Sequence, residues 1–219
     1  MSDTVYVQLL DLAAGLVLVC AFVALWRRGL VAIVRALAVQ GVALAAVALL
    51  LGLHQHDLET IVVAVLVFSL KGVVIPRVLL RIVSSSGESR EVEPLVNVPA
   101  SLLAAAGLVL LAYATTRNVV ALDPSPETRA IPIGVAVALI GFFALATRRK
   151  AVTQIVGFLL VDNGIALVAF LATSGVPLVV ELGVALDVLL AVLILQVLVS
   201  RMRTKFGAMD LDQLRELHD

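Results

Sequence analysis

Residues 153–201 read TQIVGFLLVDNGIALVAFLATSGVPLVVELGVALDVLLAVLILQVLVSR. Two long apolar segments are joined by a Ser-Gly-Val-Pro turn at 174–177, and four polar groups interrupt them: Asp162, Asn163, Glu181 and Asp187. A carboxylate at the centre of a hydrocarbon span costs on the order of 2.5–3.5 kcal/mol. A span that inserts despite that cost turns its acid inward, onto a partner group or a wet path. Two adjacent spans carrying such acids therefore mark the first place to look for function.

The rest of the chain has the same character. It has 219 residues, 62% of them hydrophobic, and a mean hydropathy of +1.12; soluble domains run near 45–50% apolar. Charges are sparse inside the apolar runs, which predicts an all-α, polytopic membrane bundle. The single cysteine, Cys20, excludes a disulfide framework and a thiolate metal cluster. With zero net charge and no basic face, the chain lacks a nucleic-acid footprint. There is no Walker loop, dinucleotide fingerprint, HExxH or Ser-His-Asp pattern, so the chain is expected to be no enzyme by itself. The first apolar run is not a signal peptide, because no basic segment precedes it and Asp3 and Asp11 are acidic.

Seven transmembrane helices are expected, at about 5–26, 30–53, 58–82, 95–116 and 131–147, with the last two in 153–201. Each run matches the roughly 17–25 residues that a ~30 Å hydrocarbon core requires. Four units follow: residues 1–83, a linker with the fourth helix at 84–130, residues 131–203, and a tail at 204–219. The linker at 84–94 is the most hydrophilic, and 117–129, with its Asp-Pro-Ser-Pro, is expected to be a loop. With seven spans, Arg27, Arg28, Arg35, Arg77, Arg81, Arg90, Arg148, Arg149, Lys150, Arg201, Arg203, Lys205 and Arg215 fall on one side. Only Arg117 and Arg129 fall on the other. The positive-inside rule then puts the N-terminus outside and the C-terminus in the cytoplasm. In the tail, Asp210 is a candidate cap, and Leu211, Leu214 and Leu217 fit either a surface helix or a docking helix for a cytoplasmic subunit.

Residues 40–44, QGVAL, lie over 163–167, NGIAL, and Glu59 lies over Glu181 if the first turn has one extra residue. Spans 1–3 then match spans 5–7 as a parallel repeat of the transporter kind; chance likeness of Ala/Val/Leu-rich segments is the alternative. The charged groups are not repeated. Lys71 stands where the second unit has Leu193, and Asp187 where the first has Val65.

The strings VDNGIALVAF and VELGVALDVLLAVLI resemble the component E family of hydrogenase-4 and formate-hydrogenlyase-type complexes. In its last helices that family is similar to the K (4L-type) subunit of respiratory complex I and to the C-type subunit of multi-subunit cation/proton antiporters. This chain departs from the K-type pattern, having Leu159 where an intramembrane Glu would stand, and its acid is Asp162, directly before Asn163. Asp187 falls where the second K-type Glu would lie, and Glu181 matches the E-type pattern. The resemblance implies a membrane-arm subunit in a bacterial or archaeal inner membrane, packed against antiporter-like subunits and lipid. It further implies a cytoplasmic redox module whose partner subunits hold [NiFe] and Fe–S centres, this chain holding no cofactor.

Asp162, with Asn163, and Asp187 sit near mid-span and are expected to face each other on a lateral proton (or sodium) path; simple helix–helix hydrogen bonding is the plainer alternative. Lys71, the lysine inside a span, wants a carboxylate from Asp187 or Asp162, or else faces a neighbouring subunit. Glu181 lies by the turn, rotated roughly 120° from Asp187, and reads equally as a mouth residue or an interfacial one. His54 and His56 beside Asp57 read as a solvated loop rather than a metal site, and Asp11 as either an inward polar group or part of a frayed end. Besides the proton-path subunit, two readings stay open: a purely structural anchor and a stand-alone transporter.

Overall fold

The computed structural model describes residues 2–86, 96–148 and 151–173. All regular structure there is helical, and six helical spans are long and apolar enough to cross a membrane. The candidate seventh span, with Glu181 and Asp187, and the tail at 204–219 lie outside the described residues.

Helix α1 (Asp3–Trp26) is followed by Arg27, whose extended backbone ends it and whose guanidinium lies 5.0 Å over the Trp26 ring. Helix α2 (Leu30–Gln55) stops at His56, which takes the left-handed conformation (φ 58°) and returns its N–H to the Gly52 carbonyl. Asp57 then caps the next helix, α3 (Leu58–Val67), accepting from the N–H groups of Glu59 (3.1 Å) and Thr60 (3.2 Å). The Thr60 hydroxyl, followed by the same backbone donors, holds the Asp57 carboxyl below the usual carboxylate range. A carboxyl depressed on folding stabilises fully above its unfolded pKa of about 3.9 and loses that contribution as pH falls through the folded value. Asp57→Ala is thus expected to lower the thermal midpoint at pH 7 and to flatten its decline below pH 4, as followed by circular dichroism in detergent.

The third span does not stay α-helical. Between α3 and α4 (Ile75–Ser86) a π-helical segment runs from Phe68 to Val74, and the Ile75 N–H reaches back five residues to Leu70. Pro76 gives a physical reason. It has no N–H to donate, and its ring crowds the carbonyl four residues earlier, at Gly72. A wider turn before it relieves that crowding.

The next two helices correct the expected loop at 117–129. Helix α5 (Val98–Leu122) continues through Arg117, and α6 (Pro126–Thr147) begins before Arg129, leaving only residues 123–125 between them. Local caps account for this: Asn97 caps α5, and Ser125 caps α6 with Pro126 in its first turn, where a missing N–H costs nothing. Helix α7 (Ala151–Thr173) returns against α6.

α6 and α7 form the tightest pair, and α2 is central, touching α1, the whole third span and α7. α5 lies on α6 and the edge of α1 with most of its surface exposed, Leu103, Leu110 and Leu122 among it. Arg148, read from sequence as part of a basic flank, is buried instead. It donates to the Leu25 carbonyl at 2.7 Å, so a cation sits at the C-terminal end of α1, where helix carbonyls lack donors.

Candidate functional site

Near mid-span, four elements meet around polar side chains. The π-helical turn carries Lys71 inward, leaving it 3% exposed, and α7 presents Asp162, 9% exposed. Their Nζ and Oδ2 atoms stand 2.9 Å apart, an ion pair inside the bundle. One residue along α7, Asn163 donates from Nδ2 to Oε1 of the fully buried Gln40 at 2.9 Å. Gln40 in turn donates from Nε2 to the Val17 carbonyl of α1, also at 2.9 Å. Asn163 Oδ1 is buried with no hydrogen-bond partner among the described residues.

Glycines permit these approaches. A Cβ on Gly41 would come within 2.5 Å of the Lys71 carbonyl carbon and oxygen, so α2 lies directly on the π-helical backbone. On the other side Gly164 lies against the Ala138 backbone, Gly141 against Val161, and Gly134 against the Gly164 carbonyl. This close α6–α7 seam fixes the height of Asp162 and Asn163.

Of the residues named from sequence, Lys71, Asp162 and Asn163 come together; Asp187 and Glu181 lie outside the described residues. Between the two carboxylates offered for Lys71, the structure pairs it with Asp162. Gln40 was not singled out, although an amide deep in an apolar run was the available signal. The π-helix was missed as well, with Pro76 and Gly72 behind Lys71 as its trace. His54, read from sequence as part of a solvated loop, stacks its ring on Tyr6 with centroids 3.9 Å apart, and the Tyr6 hydroxyl donates to Glu127 at the start of α6.

Chemically, the arrangement holds one cation and one anion in a buried setting, with amides alongside. Removing either charge would leave the other buried and uncompensated.

Comparison with known proteins gives two kinds of match. The uncharacterized protein Rv0085 of Mycobacterium tuberculosis is 49% identical over 220 residues, covering 100% of both chains. Hydrogenase-4 component E of Escherichia coli K12 is 28% identical over 120 residues, 54% of this chain and 56% of that protein, and the Shigella flexneri protein of the same name matches equally. No family model matches the chain, and no solved structure matches it significantly.

Proposed function

The chain belongs to the same family as the mycobacterial protein Rv0085, and from that premise we propose that it is a non-catalytic membrane subunit of a hydrogenase-4-like, complex I-like assembly. Its role is to contribute Lys71, Asp162 and Asn163, with Asp187 and Glu181, to a proton (or sodium) path coupled to redox chemistry in other subunits. The observation that carries this reading is the buried Lys71–Asp162 pair at 2.9 Å in the middle of the membrane span. The partial match to hydrogenase-4 component E supports the kind of complex. The redox centres, [NiFe] and Fe–S, belong to partner subunits; one cysteine in 219 residues offers no thiolate set for a cluster. The chain sits in the inner membrane with its arginine-rich ends inside, against antiporter-like subunits.

A proton passing along the path lands on Asp162, leaves Lys71 without its counter-charge, and is followed by release of a proton from Lys71 to the next acceptor. The Gln40–Asn163 bridge holds α1, α2 and α7 at fixed height while this happens. The parallel repeat is part of the same proposal. Its support is that the matched residues Gln40 and Asn163 meet side chain to side chain, and that α1 and α6 both end on an extended arginine, Arg27 and Arg148.

The test is the charge-free double variant Lys71→Met/Asp162→Leu in the tagged complex, assayed in inverted vesicles with hydrogen as reductant and a pH-sensitive dye. We expect electron transfer and subunit composition to persist while proton movement per electron falls by at least about tenfold. Unaltered proton movement in a correctly assembled complex would leave only the anchoring role.

A further inference from the structure

Gly41 rests on the backbone of Lys71 and Gly72, which fixes the height of α2 against the third span. The two run antiparallel, so about six residues back along α2 and as many forward along the third span bring Arg35 and Arg77 to one level. That level is ~9 Å from the Gly41 contact, toward the polar boundary marked by Trp26 and Arg27. Both arginines are exposed, and among the described residues neither forms an ion pair.

Their lateral positions follow from burial. On α2, Arg35, Val39, Val42, Ala46 and Leu49 recur at three- and four-residue steps, which places them on one face. On the third span, the buried sets Val63, Ala64, Val67 and Leu79, Ile82, Val83 would point about 100° apart on a continuous α-helix. The π-helical turn takes in one residue more than an α turn and brings them into line. Arg77 then stands about three turns on from Val65, on the same flank.

Between these flanks the surface is recessed. Two apolar hollows of about 280 and 330 Å³ share Val42, Ala46 and Leu49; Val65 and Phe68 wall one, and Leu12 and Leu16 of α1 wall the other. One leaflet of the hydrocarbon core is ~15 Å deep, or about ten residues of helix, which is the distance from Arg35 to Ala45. The Arg35 side chain leaves α2 toward the helix N-terminus, the boundary side, so its guanidinium reaches headgroup level while its stem lies on the apolar wall.

We propose that this groove holds an anionic phospholipid, its acyl chain against Val39, Val42 and Ala46 and its phosphate between Arg35 and Arg77. Each guanidinium can give a phosphate two parallel hydrogen bonds. A second copy inserted the same way brings no described carboxylate to this depth: Asp162 is engaged with Lys71, and the other acids among the described residues lie in the opposite half of the bundle. The chain's own stretch 188–200, VLLAVLILQVLVS, has no acid to offer either. A lipid supplies the anion and the apolar chain in one molecule, and this site does not depend on the ion path.

The experiment places the purified full chain in nanodiscs of equimolar phosphatidylcholine and phosphatidylglycerol and weighs the retained lipid by native mass spectrometry. Retention of phosphatidylglycerol is expected, falling at least about tenfold in Arg35→Gln/Arg77→Gln. Arg27→Gln removes a cation at the same boundary, one that lies over the Trp26 ring, and should keep the lipid. Val39→Trp fills the groove about one turn from Arg35 and should lose the lipid with both arginines intact. Soluble glycerophosphoglycerol, the headgroup without chains, should not displace it. Retention in Arg35→Gln/Arg77→Gln or in Val39→Trp, equal loss in Arg27→Gln, or displacement by the headgroup alone would each overturn the proposal. So would a wild-type chain that retains no phosphatidylglycerol, the result expected if a second copy or the acids of 84–94 and 204–219 held the arginines instead.

Discussion

Lys71→Met is expected to destabilise the chain by about 3–5 kcal/mol, the range found when one member of a buried ion pair is removed. Asp162 is 9% exposed and 2.9 Å from Lys71. Without the ammonium, its charge must be surrendered by protonation or kept at a large desolvation cost, and either way native stability falls. The companion variant Lys71→Met/Asp162→Leu removes both charges and should recover most of the loss, because well-packed apolar replacements of buried pairs are often neutral. Unfolding of the purified chain by denaturing detergent gives the four corners of the cycle. A coupling energy of at least about 2 kcal/mol is expected; additivity within ~0.5 kcal/mol would mean the two groups are not energetically paired.

The same pair shows what a linear chain discloses. That 153–201 begins with a membrane span bearing an acid was legible, because hydropathy and length alone decide it. That Lys71 needs a carboxylate was legible from the cost of a central ammonium, but not which one, since the choice between Asp162 and Asp187 depends on how helices pack. Gln40 was read only as the match of Asn163 in the repeat, because an uncharged amide has no acid–base chemistry of its own. Only the meeting of α2 with α7 makes it a partner of Asn163. The 117–129 segment was misjudged for a different reason. Asp-Pro-Ser-Pro reads as a loop in isolation, yet Ser125 and Pro126 also make a good helix start, and the start prevailed. Arg148 was counted with the surface charges because its burial depends on the open carbonyls of α1, a helix 123 residues away in the chain.

Gly164→Ala is the second large effect expected, and it is a matter of one methyl group. A Cβ at that position would overlap the backbone nitrogen and Cα of Ala138 and the carbonyl oxygen of Gly134. Those are main-chain atoms, so no change of side-chain rotamer makes room; α7 has to move away from α6 as a unit. Overpacking costs about 1–3 kcal/mol where side chains yield, and more where they cannot. The displacement would also be felt at the site, since Asp162 and Asn163 immediately precede Gly164 and hold Lys71 and Gln40 from that backbone. We expect a loss above about 3 kcal/mol in detergent unfolding, together with weaker coupling in the Lys71–Asp162 cycle. Gly107→Ala on α5 is the internal control. Nothing lies within 4 Å of its added methyl, so only the lower backbone entropy of alanine acts, raising stability by up to ~1 kcal/mol. Opposite signs at the two positions would establish that contact between backbones, rather than glycine's effect on helix propensity, sets the height of the carboxylate. Equal effects would mean that the α6–α7 seam is looser than these distances require, and that Asp162 owes its position to the ion pair alone.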